Sequence, residues 1–221
     1  MKKMMMMLFM ATVALTASAQ NEVGQLTLQP KVGFNLANIT DIRVKTSSYT
    51  DNTEKGNLKG DFVLGLEAEY GIEEKISVAA GLLYSRQGTD FGEVKVYGNP
   101  DGSVSEGWDK YQYNLGYLNI PIVANFYFAK GWAIKAGIQP GFLLSAKMKV
   151  DGLGNTESVN QDVKDIHKSF DLSIPLGLSY EYEKAVFDLR YNFGMTKVNK
   201  EGDKDCRNSV IQFTVGYKFA L

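Results

Sequence analysis

The sequence predicts an all-β fold: an eight-stranded antiparallel up-and-down transmembrane β-barrel with short periplasmic turns and long extracellular loops. Three observations predict it. Eight stretches alternate between apolar residues and small, polar or charged ones. The connections between them alternate between tight and long. The polar face mixes charged side chains with glycines at mid-strand. Side chains on a strand point to opposite faces in turn, so each stretch is a strand with a different environment on either side.

The N-terminus comes first. Lys2 and Lys3 precede the apolar run "MMMMLFMATVAL", and "ASA" at 17–19 supplies small residues for cleavage. This order is that of a secretory signal peptide cut after Ala19, leaving residues 20–221 as the barrel domain. Met4 to Ala19 is 16 residues, short of the ~20 that a membrane-spanning helix needs. No later apolar run approaches 18 residues, which leaves barrel strands as the means of crossing.

The strands follow at 26–37, 61–70, 76–85, 118–128, 132–148, 170–181, 185–194 and 211–219. The fifth shows the pattern most fully. Trp132, Ile134, Ala136, Ile138, Pro140, Phe142, Leu144, Ala146 and Met148 oppose Ala133, Lys135, Gly137, Gln139, Gly141, Leu143, Ser145 and Lys147, with Leu143 the one apolar exception. "GIEEK", "AKG" and "EKA" are tight turns, whereas 40–58, 88–110, 149–168 and 197–208 are long. Outer-membrane barrels show this asymmetry.

The polar face decides which side is inside. It holds Lys31, Lys135, Lys147, Arg190 and Lys218, with Asp61, Glu67, Glu69, Asp171, Glu181 and Asp188, and it holds Gly33, Gly65, Gly81, Gly137, Gly177 and Gly194. Mid-strand glycine is poor on a water-facing sheet. In a narrow barrel, small residues leave room for buried charges to pair, as they must. The apolar face therefore meets lipid. Its aromatics gather near the tight turns as Tyr70, Phe126, Phe128, Trp132, Tyr180, Tyr217 and Phe219, an interfacial girdle. Pro30, Pro121, Pro140 and Pro175 interrupt strands. A closed barrel has no edge to hold them, so they predict bulges.

"KVGFNLANI", "YLNIPIVANFYF", "AGIQPGFLLSAK" and "YNFGMT" resemble the PorT-like outer-membrane β-barrel family of Bacteroidetes across essentially the whole mature chain. The resemblance implies an eight-stranded outer-membrane barrel and no single activity, although the name-giving member serves a secretion apparatus. Barrels of this kind usually end on an aromatic residue, whereas here Ala220 and Leu221 follow Phe219.

Chemistry-bearing residues are few. The one histidine, His167, has Asp165 and Ser169 beside it at the expected outer rim. That set matches a rim-active, lipid-modifying enzyme in residue type but in no local spacing, and a solvated loop histidine is the competing reading. One His and one Cys do not supply a zinc site. Cys206 reads as a solvated, incidental thiol without a disulfide partner. "NPDGSVSEGWD" and "DGLGN" lack calcium-loop spacing and read as turns. The net charge of −1, or −3 without Lys2 and Lys3, recruits no nucleic acid. The expectation is a non-enzymatic protein of the cell outer membrane with a side-chain-filled interior. It has no catalytic, cofactor-binding or metal site. Its partners are outer-membrane lipid and other envelope or secretion proteins. The alternatives are the rim enzyme and a narrow ion channel.

Overall fold

The computed structural model describes residues 23–45, 53–96, 107–153, 158–200 and 205–221. The expected signal peptide, most of the "NPDGSVSEGWD" segment and the last two residues of "DGLGN" lie outside these residues.

Eight antiparallel strands close into a ring. They are β1 (Leu26–Ile39), β2 (Lys59–Glu73), β3 (Ile76–Val96), β4 (Gly107–Asn119, resumed at Ile122–Ala129), β5 (Trp132–Leu153), β6 (Phe170–Tyr182), β7 (Ala185–Gly194) and β8 (Asn208–Tyr217, resumed at Phe219–Ala220). Each pairs with the next, and β8 closes on β1 through Lys31↔Gly216 to Ile39↔Asn208. The turns Glu74–Lys75, Lys130–Gly131 and Glu183–Lys184 are two residues long, with Gly131 and Glu183 at positive φ (74° and 53°).

The alternation translates directly into burial. Ile134, Ile138, Leu64, Leu176 and Leu189 are exposed on the outside, while Lys135, Gln139, Glu67 and Arg190 are fully enclosed. The exposed apolar face of a closed barrel has no protein to cover it and fits only lipid. Two aromatic belts bound it. Near the turns, Trp132 packs on Tyr180 (centroids 4.7 Å) and Tyr217 on Phe219 (4.8 Å). Higher up, Phe34 meets Phe213 (5.8 Å), Phe62 meets Tyr84 (5.9 Å) and Phe142 meets Phe170 (5.8 Å). From Trp132 to Phe142 the strand climbs ~33 Å, which a tilt of ~40° reduces to about 25 Å, the usual height of the apolar band.

Three expectations change. First, the inward glycines do more than make room for large neighbours. A Cβ on Gly33 would lie 1.9 Å from the Phe213 carbonyl oxygen, and one on Gly137 would lie 2.0 Å from that of Ile122. Neighbouring backbones approach here closely enough that only glycine fits, which is how so small a ring curves. Second, the prolines sit at gaps in the hydrogen-bond ladder, not at bulges. Pro30 lies where the β1–β8 ladder skips from Lys31↔Gly216 to Leu28↔Phe219, Pro121 at the break in β4, and Pro175 where the β5–β6 ladder skips between Ser173↔Gln139 and Leu176↔Ala136 without changing register. Pro140 keeps its carbonyl in use, accepting from the Ile120 amide across that same break (2.8 Å). Third, a bulge does occur on β5, where Gly116↔Ser145 and Tyr117↔Leu143 leave Leu144 unpaired. One extra residue inverts the faces beyond it. Leu143, still in phase with Lys135 and Gln139, is buried inside; past the bulge Ala146 takes the inner face, and Lys147 is exposed outside rather than in the lumen.

The strands also run further than the alternation indicates. β3, β4 and β5 continue to Val96, from Gly107 and to Leu153, so much of the 88–110 connection is a tall hairpin above the membrane band.

Candidate functional site: the lumen and its outer cap

The lumen has three layers. The lowest is an ion-pair network spread over seven strands. Arg190 on β7 reaches Glu67 on β2 (2.9 and 3.0 Å) and Asp188 (2.7 and 2.8 Å). Lys31 on β1 bridges Glu67 (2.7 Å) and Asp188 (3.3 Å), and Lys135 on β5 donates to Asp188 (2.8 Å). Nearer the turns, Lys218 holds Glu181 (2.5 Å) and Glu69 (3.1 Å), while the Tyr127 hydroxyl lies within reach of both carboxylates (2.6 and 2.7 Å). Lys31, Lys135, Arg190 and Lys218 balance Glu67, Glu69, Glu181 and Asp188, four charges against four. Buried ions survive only with such compensation. Strand alternation makes the network possible, because it points every one of these side chains inward from a different direction.

Above it is a layer of neutral polar side chains. Asn35, Asn119, Gln139, Asn192 and Gln212 are all buried, and each keeps at least one polar atom without a protein partner.

The top layer is an apolar cap. Ile39, Leu115, Tyr117, Leu143, Ala146, Val163 and Val198 form one buried cluster, with Ile42, Tyr113, Met148 and Cys206 packed against it. A strap closes it. Val159–Asp162 pairs with β5, a 3₁₀ turn follows at Lys164–Ile166, and Val163 and His167 turn inward while their neighbours stay exposed.

The structure corrects both readings of His167. It is not solvated: it is 4% exposed, its Nδ1 lies 2.7 Å from the Val163 carbonyl oxygen, and its ring lies 5.9 Å from that of Tyr113. Burial holds its pKa below the ordinary 6.5, opposed by the Val163 hydrogen bond and reinforced by Lys200. Asp165 and Ser169 are exposed to either side of it, so the three residues do not assemble a base, an orienter and a nucleophile. Cys206, expected to be solvated, is half-buried against the cap. Among the described residues, no group of three His, Cys, Asp or Glu side chains is placed to hold a metal.

The sequence matches the family described as outer membrane protein beta-barrel domain over residues 18–200. The chain belongs to this family. It is therefore a protein of the cell outer membrane, and its exposed apolar belt faces lipid. In shape it resembles the attachment invasion locus protein Ail of Yersinia pestis (17% identity, 90% of this chain and 100% of that one, TM-score 0.44). It also resembles Neisserial surface protein A (17%, 93% and 100%, 0.43) and OprG of Pseudomonas aeruginosa (16%, 91% and 98%, 0.45). No curated protein matches the chain in sequence.

Proposed function

We propose that this barrel is a non-enzymatic envelope protein that acts through its long outer loops and through contacts with other envelope or secretion proteins, rather than by passing solutes. The observation that carries this reading is the lower ion-pair network, whose side chains reach across the lumen from seven strands and leave Lys31, Glu67, Lys135, Asp188 and Arg190 at most 4% exposed. An eight-stranded lumen is just wide enough for side chains to fill. The apolar cap is a second seal in series. In liposomes, the purified protein is expected to show no swelling in a disaccharide. Disaccharide uptake overturns the reading, and a narrow ion conductance in planar bilayers favours the channel alternative instead.

The narrower PorT-like assignment belongs to this proposal too. It draws support from where its most specific piece sits. "YLNIPI" spans the β4 break, and "GIQPG" of β5 lies across from it. Asn119 packs over Gly141, and Ile120 bonds to Pro140. The proposal includes removal of residues 1–19 on export.

A further inference from the structure

Directly above the upper aromatic belt, the outer surface of β6, β7 and β8 changes from apolar to basic. Phe170, Phe193 and Met195 are exposed at the top of the lipid-facing band. Beyond them the chain returns on itself. The Lys168 amide donates to the Val198 carbonyl (2.7 Å) and the Val198 amide to that of Cys206 (2.8 Å), which sets Lys168, Lys197 and Arg207 side by side. Two of them reach one carboxylate, and the third stands near it. Lys197 pairs with Asp205, Arg207 Nη2 lies 3.7 Å from it, and Lys168 acts on it through space. Among the described residues, three cations thus share one anion. On the opposite wall, Lys149 has Asp151 (2.7 Å) and Lys110 approaches Asp90 (3.9 Å), one carboxylate for each cation.

We propose that this patch binds the phosphate-bearing headgroup of an anionic lipid in the outer leaflet, with the lipid's acyl chains lying against Met195, Phe170 and Phe193. The height argues for a lipid. The cations begin one residue layer above the last lipid-exposed side chains, where headgroups lie, and long basic side chains reach naturally to that depth. The charge argues for phosphate. Among the described residues the patch sets three cations against one anion, and Arg207 offers a planar fork suited to phosphate oxygens. The adjacent apolar wall argues against a free anion, which would gain nothing from it.

The test uses the full-length protein in detergent micelles, titrated with diphosphoryl lipid A and followed by native mass spectrometry. K168Q, K197Q and R207Q are each expected to weaken binding about fivefold, and the triple variant about a hundredfold, from the worth of one basic residue near an anionic surface. D205N is expected to tighten binding by a similar factor, a gain that a merely misfolded rim would not produce. The K110Q/K149Q pair on the opposite wall serves as the control and should stay within twofold of wild type. Dephosphorylated lipid A should bind as weakly as the diphosphoryl form binds the triple variant. Unchanged affinity in the triple variant, or equal binding of the dephosphorylated lipid, overturns the proposal. Displacement of the lipid by an equal concentration of inorganic phosphate overturns the choice of a lipid and makes this a site for free phosphate.

Discussion

Asp188→Asn tests the lumen most directly. The Asp188 side chain is fully buried and lies within 2.8 Å of Arg190 and of Lys135, and 3.3 Å from Lys31. Asparagine keeps the shape and one acceptor but removes the charge. Lys31, Lys135 and Arg190 then face Glu67 alone, and the network's balance of four charges against four becomes four cations against three anions. Breaking a buried pair in this way costs about 3–5 kcal/mol, whereas losing an exposed pair costs about 0–1 kcal/mol. The assay is urea unfolding in micelles, followed by tryptophan fluorescence and by the gel mobility of the folded barrel. A second substitution sharpens the result. Lys135→Met deletes one of the cluster's cations at similar volume. The doubly substituted protein should recover at least half of the loss, a coupling of more than about 1.5 kcal/mol between contacting sites. A loss below about 1 kcal/mol for Asp188→Asn, or simple addition of the two single losses, refutes the idea of a compensated buried network.

Four further outcomes follow. In a Cys206→Ser background, Ile138→Cys should react with a membrane-soluble maleimide without unfolding, while Gln139→Cys, its buried neighbour, should stay inert; the reverse pattern would invert the barrel. Ile138→Arg should cost about 2–4 kcal/mol at the bilayer midplane and impair insertion. For His167, burial favours the neutral ring, so the cap's stability is fully present above the ordinary pKa of 6.5 and declines as pH falls below it. The opening free energy of residues 158–169, read from hydrogen exchange corrected for the intrinsic pH dependence of amide exchange, should therefore be lower at pH 5 than at pH 7.5 in wild type, while His167→Gln should show the same opening free energy at both. N-terminal sequencing of protein extracted from membranes should begin at Gln20, and a retained Met1 would remove the signal-peptide reading.

Most of the transmembrane architecture was legible because a period-two code leaves little freedom. Once Lys135 and Gln139 are inside, Ile134 and Ile138 must be outside, and the balance of charge inside eight strands follows. The code fails wherever the period slips. A single extra residue at Leu144 exchanges the faces, so strict alternation assigns Lys147 to the lumen although it lies outside. Leu143 was in fact the first sign of the cap, an apolar interior above the membrane band. The rest of the cap comes from loop residues such as Val163 and Val198, which no periodicity announces. Their only local signature is the inward pair Val163 and His167 amid exposed neighbours, a four-residue interval in a segment otherwise dense in charge. The basic patch was equally hidden, because Lys168, Lys197 and Arg207 are scattered over 40 positions of sequence and only the return of the chain past Val198 brings them together. The strands announce what faces lipid and what faces the lumen, but the residues that distinguish this barrel from others lie where the chain leaves the strands. A search for its partners should therefore begin at the cap and its basic flank, not in the lumen.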